Sequence, residues 1–390
     1  MSGLIKESFI ERIKEEADLK KVMESTGAEF KKVGSGWRCH SPFNPEKSPS
    51  CMLPAGQEFF KDFSSGKSGN VVTFVMEYYQ KSYPEAIIWI ADFFNLQVEY
   101  EDADWAKKEL ERRTEKEDLR KYLKAAHRKY QEELTSVDQS HHAYKELERR
   151  GYSKEVVVEW GIGYAPGKGV IYNLLKQAGA VKEGRDVGLI GDSTDQFWNR
   201  LMYPIHDRNG LIVGFGGRDL SGKDNSVKWQ NSRNNKLYQK SKVIYGLHKA
   251  ARSIAKNGEV YIVEGYNDVI SMHLHGVTNT VAASGTSISE DQIKQLLKYK
   301  GSFTFILDGD KAGYQAVIKL FPKLVENGVT SASTIRLPDG LDPDDFTRER
   351  RELFQGENSG VKDLAEYLKT KAYRRNCFQL LIEHHVTKKG

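Results

Sequence analysis

A chain of 390 residues is longer than one ordinary hydrophobic core, and predicts two or three domains. Its 39% hydrophobic and 29% charged residues exclude a disordered chain and describe a folded one that water can surround. Lys and Arg number 59 against 54 Asp and Glu, a mild basic excess that becomes informative only where the basic residues cluster. No apolar run is long enough to span a bilayer, and the opening MSGLIKESFIERIKEE lacks the apolar centre of a signal peptide. Cys39, Cys51 and Cys377 are widely spaced and give no disulfide framework, so the expectation is a reducing, cytoplasmic setting with no membrane partner.

Phe9, Ile13, Ala17 and Val22 recur at roughly helical spacing and predict an amphipathic opening helix. From Gly34 to Tyr79, Gly, Pro and Ser punctuate short apolar pieces, the pattern of a small antiparallel sheet with tight turns. Val71 begins a helical pattern that breaks near Ser82-Tyr83-Pro84 into two helices. Between Asp102 and Gln139 there is no Gly or Pro, acids and bases are mixed, and Leu110, Leu119, Leu123 and Leu134 are sparse apolar positions. This predicts a solvent-exposed helix, or a helical pair, joining two domains.

A helix ending near Gly151 follows, then a short helix, a turn at Gly161–Pro166, and a β-hairpin whose turn is Asp207-Arg208-Asn209-Gly210. Here basic residues do cluster: Arg150, Arg200, Arg208, Arg218, Lys228, Arg233, Lys236, Lys240 and Lys242, interleaved with Trp198, Trp229 and Tyr238. Charge of this kind suits phosphates, and the aromatic rings suit stacked bases.

Beyond Glu259 the chain alternates strand and helix: VYIV, a helix over 266–275, TVAA, a helix over 290–299, FTFIL, a helix over 312–327, then STIRL. That is an α/β domain with a largely parallel sheet, so the whole chain reads as a multidomain α+β and α/β protein. Acids follow the apolar runs: Glu264 and Asp268 after the first, Asp308 and Asp310 after FTFIL, and Asp342, Asp344 and Asp345 after STIRL. One acid at a strand end is usually a turn residue or a helix cap. Three clusters in order, supported by Gly265, Gly309 and Gly313, point instead to divalent metal held at the carboxyl edge of the sheet. Paired metals of this sort move phosphoryl and nucleotidyl groups.

Three stretches carry a family resemblance. Residues 41–50, Ser-Pro-Phe-Asn-Pro-Glu-Lys-Ser-Pro-Ser, with Phe63, Gly66, Lys67, Gly69 and Asn70, resemble the zinc-binding module of bacterial DnaG-type primases. The ligands differ: Ser41 and Asn44 stand where that family has its first Cys and its His, and Asp62 and Ser65 replace the Cys pair. Tetrahedral structural zinc wants sulfur and imidazole, so zinc is expected to be absent and Trp37, Phe43, Phe59, Phe60 and Phe63 to hold the module. Cys39, His40 and Cys51 are the alternative, shifted ligand set. Trp37, Arg38, Lys61 and Lys67 are candidates for template contact, since the module touches single-stranded template in that family.

Arg200–Ile205, Gly214–Arg218, Lys228–Ser232 and Tyr245–Leu247 resemble the basic ridge of the same family's polymerase domain, with Trp198 where many relatives have Arg. The VEGYxD, DGDxAG and DPDD signatures resemble its Toprim fold. The resemblance implies template or nucleotide binding by Arg150, Arg200, Arg218, Lys228, Asn231 and Lys240, catalysis by Glu264, Asp268, Asp308 and Asp310, and Mg²⁺ or Mn²⁺ held by Glu264, Asp308, Asp310, Asp342 and Asp344. It implies a degenerate zinc-ribbon-like module at 1–101, a linker at 102–140, a basic subdomain at 141–255, a Toprim domain at 256–346 and a helical tail at 347–390. The implied activity is synthesis of short RNA primers from ribonucleoside triphosphates on single-stranded DNA. The tail is too short for a large helicase-binding domain, which leads to the expectation of a phage or mobile-element enzyme and leaves a replicative helicase as an open partner. A Toprim nuclease or topoisomerase-like enzyme, and a non-catalytic template-binding or helicase-loading factor, are the alternatives.

Overall fold

Short strands, each too small to be stable alone, are closed over by helices in both halves of the computed structural model. It describes residues 5–380 except 45, 57, 80, 224, 284–287, 300, 307–310, 356–358 and 378, with the backbone alone for 311–318. The chain divides into a unit spanning 1–114 and another spanning 115–390.

In the first unit, helices α1 (Glu7–Glu16) and α2 (Leu19–Glu24) precede a five-stranded antiparallel sheet, β1 (Lys31–Val33), β2 (Gly36–Cys39), β3 (Cys51–Leu53), β4 (Phe60–Asp62) and β5 (Ser68–Gly69), paired in chain order. Helices α3 (Val71–Tyr79) and α4 (Tyr83–Phe93) follow. The break between them lies where Ser82 predicts it: the Glu85 carboxylate accepts from Ser82 N at 2.9 Å and Oγ at 2.7 Å, a capping arrangement that starts α4. Phe9, Ile13 and Val22 from the opening helices meet Phe60, Phe74, Ile87 and Ile90 in one core. Of the five aromatic residues expected to hold this module, Phe60 is buried and Trp37 and Phe43 are half-buried. Phe59 and Phe63 are 44% and 59% exposed, because residues 59, 61 and 63 share the outer face of β4. Cys39 and Cys51 are cross-strand partners, buried and free, while His40 is exposed.

Helix α5 (Ala103–Ser136) runs uninterrupted for 34 residues. Its first half is largely exposed, but Leu119, Leu123, Ala126 and Tyr130 recur at one-turn spacing and are buried in one cluster with Phe197, Met202 and Phe215, and Leu134, a turn further on, is buried in the core that holds Leu147 and Trp160. The second half is therefore part of the core of its domain. Helices α6 (His142–Arg149) and α7 (Lys154–Trp160) lead into an antiparallel sheet of β6 (Gly163–Ala165), β7 (Arg200–His206), β8 (Ile212–Asp219) and β9 (Trp229–Asn231), with α8 (Val170–Gln177) and α9 (Val181–Asp186) inserted after β6. Only glycine fits at 163, where an added Cβ would lie 2.7 Å from the Tyr130 backbone carbon. The expected hairpin joins β7 to β8, and Asp207 accepts from the backbone N–H of Asn209 and Leu211 to shape its turn.

After α10 (Leu247–Asn257) comes a sheet in the order β11-β10-β12-β13-β14. Strands β10 (Glu259–Val263), β11 (Thr280–Ala282), β12 (Ser302–Ile306) and β13 (Ala332–Arg336) are parallel, with α11 (Tyr266–Leu274), α12 (Glu290–Leu297) and α13 (Lys311–Glu326) as crossovers. Helices α14 (Pro343–Glu349) and α15 (Leu364–Thr370) follow β13. The tail is not wholly helical as expected: β14 (Tyr373–Asn376) adds antiparallel to β13. Its sequence, YRRN, has no apolar alternation to announce a strand. Tertiary contact supplies what pattern does not, for Arg374 pairs with Glu259 at 2.6 Å and reaches the Tyr261 hydroxyl at 3.3 Å. Among the described residues no helix is long and apolar enough to cross a membrane.

Candidate metal and nucleic-acid site

The acids gather at the carboxyl ends of β10 and β13. Glu264 follows β10 directly and is exposed, and one helical turn later Asp268 folds back to accept the Gly265 N–H at 2.8 Å. Asp268 also receives the backbone N–H of Asp344 at 3.3 Å. Asp342 caps α14 by accepting from Asp345 N at 2.7 Å. Burial, and then the charges of Asp342 and Asp344, raise the pKa of Asp268 above the ordinary carboxylate range. Carboxylates crowded so closely call for a cation. The oxygen donors Glu264, Asp268 and Asp342 suit a hard divalent ion such as Mg²⁺, although no three His, Cys, Asp or Glu residues form a ready-made metal cluster among the described residues. Asp308 and Asp310 lie outside the described residues.

Asp344 has a different situation. It is 2% exposed, accepts Ser271 Oγ at 2.6 Å, and pairs with Arg150 Nη1 at 2.5 Å. Arg150, expected to face template, does not face solvent: it is 8% exposed and also donates to Glu146 at 2.8 Å. The Asn267 amide completes the group in the orientation that accepts from Arg150 Nη1 at 2.7 Å and donates to the Tyr203 hydroxyl at 3.0 Å. Glu146 binds Arg149 as well, and stands 3.8 Å from Arg218. Burial opposes its ionisation, yet Arg149 and Arg150 hold its carboxyl down at about 2. Glu146, Asn267 and Ser271 were not singled out from sequence. They carry no motif of their own, and only the approach of α6 to α11 and α14 gives them partners.

The remaining basic residues separate into two sets. Arg200 is buried, donating to the carbonyls of Gly217 at 3.0 Å and Val227 at 2.9 Å, so it braces the β7–β8–β9 edge. Lys228 and Lys240 are exposed. Arg218 is intermediate: its guanidinium lies 5.9 Å from the Trp229 ring centre, and its buried Nε and Nη1 have no hydrogen-bond partner among the described residues. Burial and the neighbouring Arg150 charge lower its pKa. Nε faces Glu146 at 3.8 Å, and the part of the guanidinium that remains exposed gives this surface a cation suited to an anion. Asn231 on β9 accepts the Tyr266 hydroxyl at 2.9 Å, and that ring packs against Trp229, Tyr203 and Tyr245. Gly216 permits the approach, since a Cβ there would lie 2.2 Å from Tyr266 Cε2. Tyr266 thus joins the acidic loop to the basic sheet.

In the first unit, the former ligand positions converge, but on each other. Asp62 is 1% exposed and accepts Ser41 Oγ at 2.8 Å, Ser65 N at 3.0 Å, Ser65 Oγ, and Ser50 Oγ at 3.3 Å. Ser41 Oγ accepts the backbone N–H of Phe43 at 3.1 Å and Asn44 at 3.0 Å, and the Asn44 amide donates to Ser64 O at 3.1 Å. Two hydroxyls, an amide and a carboxylate saturated with hydrogen bonds do not fit zinc. Nor do Cys39, His40 and Cys51 assemble, with His40 exposed and both thiols buried. Of the residues expected to touch template here, Lys61 is exposed beside Phe63. Trp37 lies under Lys20, Arg38 reaches Met52 Sδ, and Lys67 pairs with Glu77.

Comparison with known proteins matches three family models to the chain: the CHC2 zinc finger over residues 5–106, the N-terminal domain of the DNA primase catalytic core over 129–251, and a Toprim-like domain over 261–347. A DNA primase of Pseudomonas aeruginosa is 33% identical over 382 residues, which are 94% of this chain and 56% of that protein. The chain thus spans a little over half the length of that curated relative. The structure of the zinc-binding and RNA polymerase domains of the Aquifex aeolicus primase is 27% identical with a TM-score of 0.59, covering 96% of this chain and 87% of the other. A DnaG primase catalytic domain bound to single-stranded DNA is 30% identical with a TM-score of 0.53, covering 66% of this chain and 82% of the other.

Proposed function

Since the chain belongs to the DnaG-type DNA primase family, we propose that it is a DNA-directed RNA polymerase that makes short RNA primers on single-stranded DNA. The observation that carries this reading is the Tyr266–Asn231 hydrogen bond, which sets the acidic edge of β10 and β13 beside the basic β8–β9 surface. A Toprim-like fold brings divalent-metal chemistry. The neighbouring anion-receptive surface gives that chemistry a nucleic-acid and triphosphate substrate, which favours primase over a nuclease or a template-binding factor without catalysis.

In this mechanism Glu264, Asp308 and Asp310 would hold Mg²⁺ or Mn²⁺, and Asp268 and Asp342 would support that site. When bound, the metal neutralises triphosphate charge and acidifies the attacking 3′-hydroxyl. Arg218 offers the exposed part of its guanidinium to phosphate, and Lys228 and Lys240 follow the template backbone by charge. Arg150, Asp344 and Arg200 act as positioning residues: Arg150 neutralises Asp344, which fixes α14 and thereby Asp342. The 3′-hydroxyl attacks the α-phosphorus, a phosphodiester bond forms, and pyrophosphate leaves. The setting is the cytoplasm, where replicating template and ribonucleotides occur together, and a replicative helicase is the partner that would expose the template.

Incubating the protein with single-stranded DNA, labelled ribonucleotides and Mg²⁺ tests the proposal. Template-dependent RNA oligomers are expected, and Asp308→Ala should abolish them. No product from the unaltered protein, or undiminished product from Asp308→Ala, would refute it.

A further inference from the structure

We infer that the Asp62 carboxylate is the structural replacement for zinc in the N-terminal module: a buried hydrogen-bond hub that ties together two turns which a metal would otherwise join. This rests on the family membership of the chain and is independent of whether it makes primers.

A structural zinc does two things for a ribbon of short strands. It links two turns that are distant in sequence, and its thiolate ligands accept backbone N–H groups within each turn. Both tasks are performed here by oxygen. In the first turn, Ser41 Oγ accepts from the N–H groups two and three residues ahead, Phe43 and Asn44. In the second, Asp62 Oδ2 accepts from Ser65 N, three residues ahead, and Ser65 Oγ accepts from Lys67 N at 3.3 Å. The connection between turns is Ser41 Oγ to Asp62 Oδ2 at 2.8 Å, doubled by the Asn44 amide on Ser64 O. All four substituted positions take part, so their joint change exchanges one bonding scheme for another.

A second carboxylate supports the hub. Glu46 accepts Ser41 N at 2.7 Å and Ser50 N at 2.8 Å on one oxygen and Ser50 Oγ at 2.6 Å on the other. Burial works against its charge, but these bonds outweigh it and lower its pKa. Ser50 then bridges Glu46 to Asp62. Beneath the hub, Phe43, Phe60, Phe74 and Tyr78 form a continuous ring cluster with centroids 5.5–6.2 Å apart. A buried carboxylate is tolerable only when its lone pairs are met, and Asp62 meets that condition with Ser41 Oγ, Ser65 N and Ser65 Oγ as donors and the shared Ser50 hydroxyl at 3.3 Å.

The test uses the full chain expressed in zinc-supplemented medium. Elemental analysis should find well under one zinc per chain, and a strong chelator should leave amide hydrogen exchange over 36–70 unchanged. Asp62→Ala, which removes both acceptor oxygens of Asp62, should raise exchange across that segment at least tenfold, and Asp62→Asn should fall between, since it keeps one acceptor oxygen. The combined variant Ser41→Cys, Asn44→His, Asp62→Cys, Ser65→Cys should take up one zinc and become chelator-sensitive, because the turns retain the required spacing. Stoichiometric zinc in the unaltered protein would overturn the inference. So would unchanged exchange in Asp62→Ala, or failure of the four-ligand variant to bind zinc.

Discussion

Arg150→Met separates a positioning role for Arg150 from direct template contact. The substitution keeps length and apolar volume but removes the charge, leaving Asp344 buried close to Asp268 with Arg348 Nε, at 3.7 Å, as its remaining cationic neighbour. The side chains of the pair are 7% and 3% exposed, so solvent cannot relieve the loss. Breaking a buried pair by removing one partner costs about 3–5 kcal/mol. For a domain of this size each kcal/mol shifts Tm by roughly 2–4 °C, so the second unit should melt roughly 10 °C lower, measured by calorimetry. Replacing both partners, Arg150→Met with Asp344→Leu, should recover part of that loss, because no isolated charge remains. The salt dependence of single-stranded DNA binding should keep its slope in Arg150→Met, as no phosphate contact has been lost. A Tm within a degree or two of the unaltered protein, together with a shallower salt slope, would refute this account and make Arg150 a template residue.

Other expectations follow from the same geometry. Arg218→Ala should weaken nucleotide or template binding by about 10- to 100-fold, the value of a charged hydrogen bond near 1.5–3 kcal/mol, and Arg218→Lys should restore little because the planar fork is gone; filter binding at fixed salt reads both. Tyr266→Phe removes the bond to Asn231 and should cost about 1 kcal/mol of stability by denaturant titration while lowering primer synthesis, with the aromatic packing intact. Asp268 has a folded pKa above its unfolded value of 3.8, so the folded state binds the extra proton. Metal-free stability should therefore decline as pH rises from the unfolded pKa through the folded one. Mg²⁺ should stabilise most at the upper end of that window, as a thermal melt series with and without the ion would show.

Strand and helix in the Toprim-like domain were legible because apolar runs and turn residues are local signals, and the acids at 264, 268, 342 and 344 were legible because they interrupt those runs. The family resemblance was legible for the same reason, in short motifs whose residue types are tied to backbone shape. Pairing was not. The family resemblance placed Arg150 and Arg200 among the residues facing template or nucleotide, yet each is enclosed by partners from other parts of the chain, at 194 residues' separation for Asp344. The expected helical tail at 347–390 likewise missed β14, because YRRN has no strand pattern until β13 and Glu259 receive it. The substitutions at 41, 44, 62 and 65 were visible as departures from a ligand set, but their meaning depended on convergence. Residue type determines what a side chain can bond to. Which charges are exposed for substrate and which are consumed by the fold is set by burial, and burial is a property of the assembled chain.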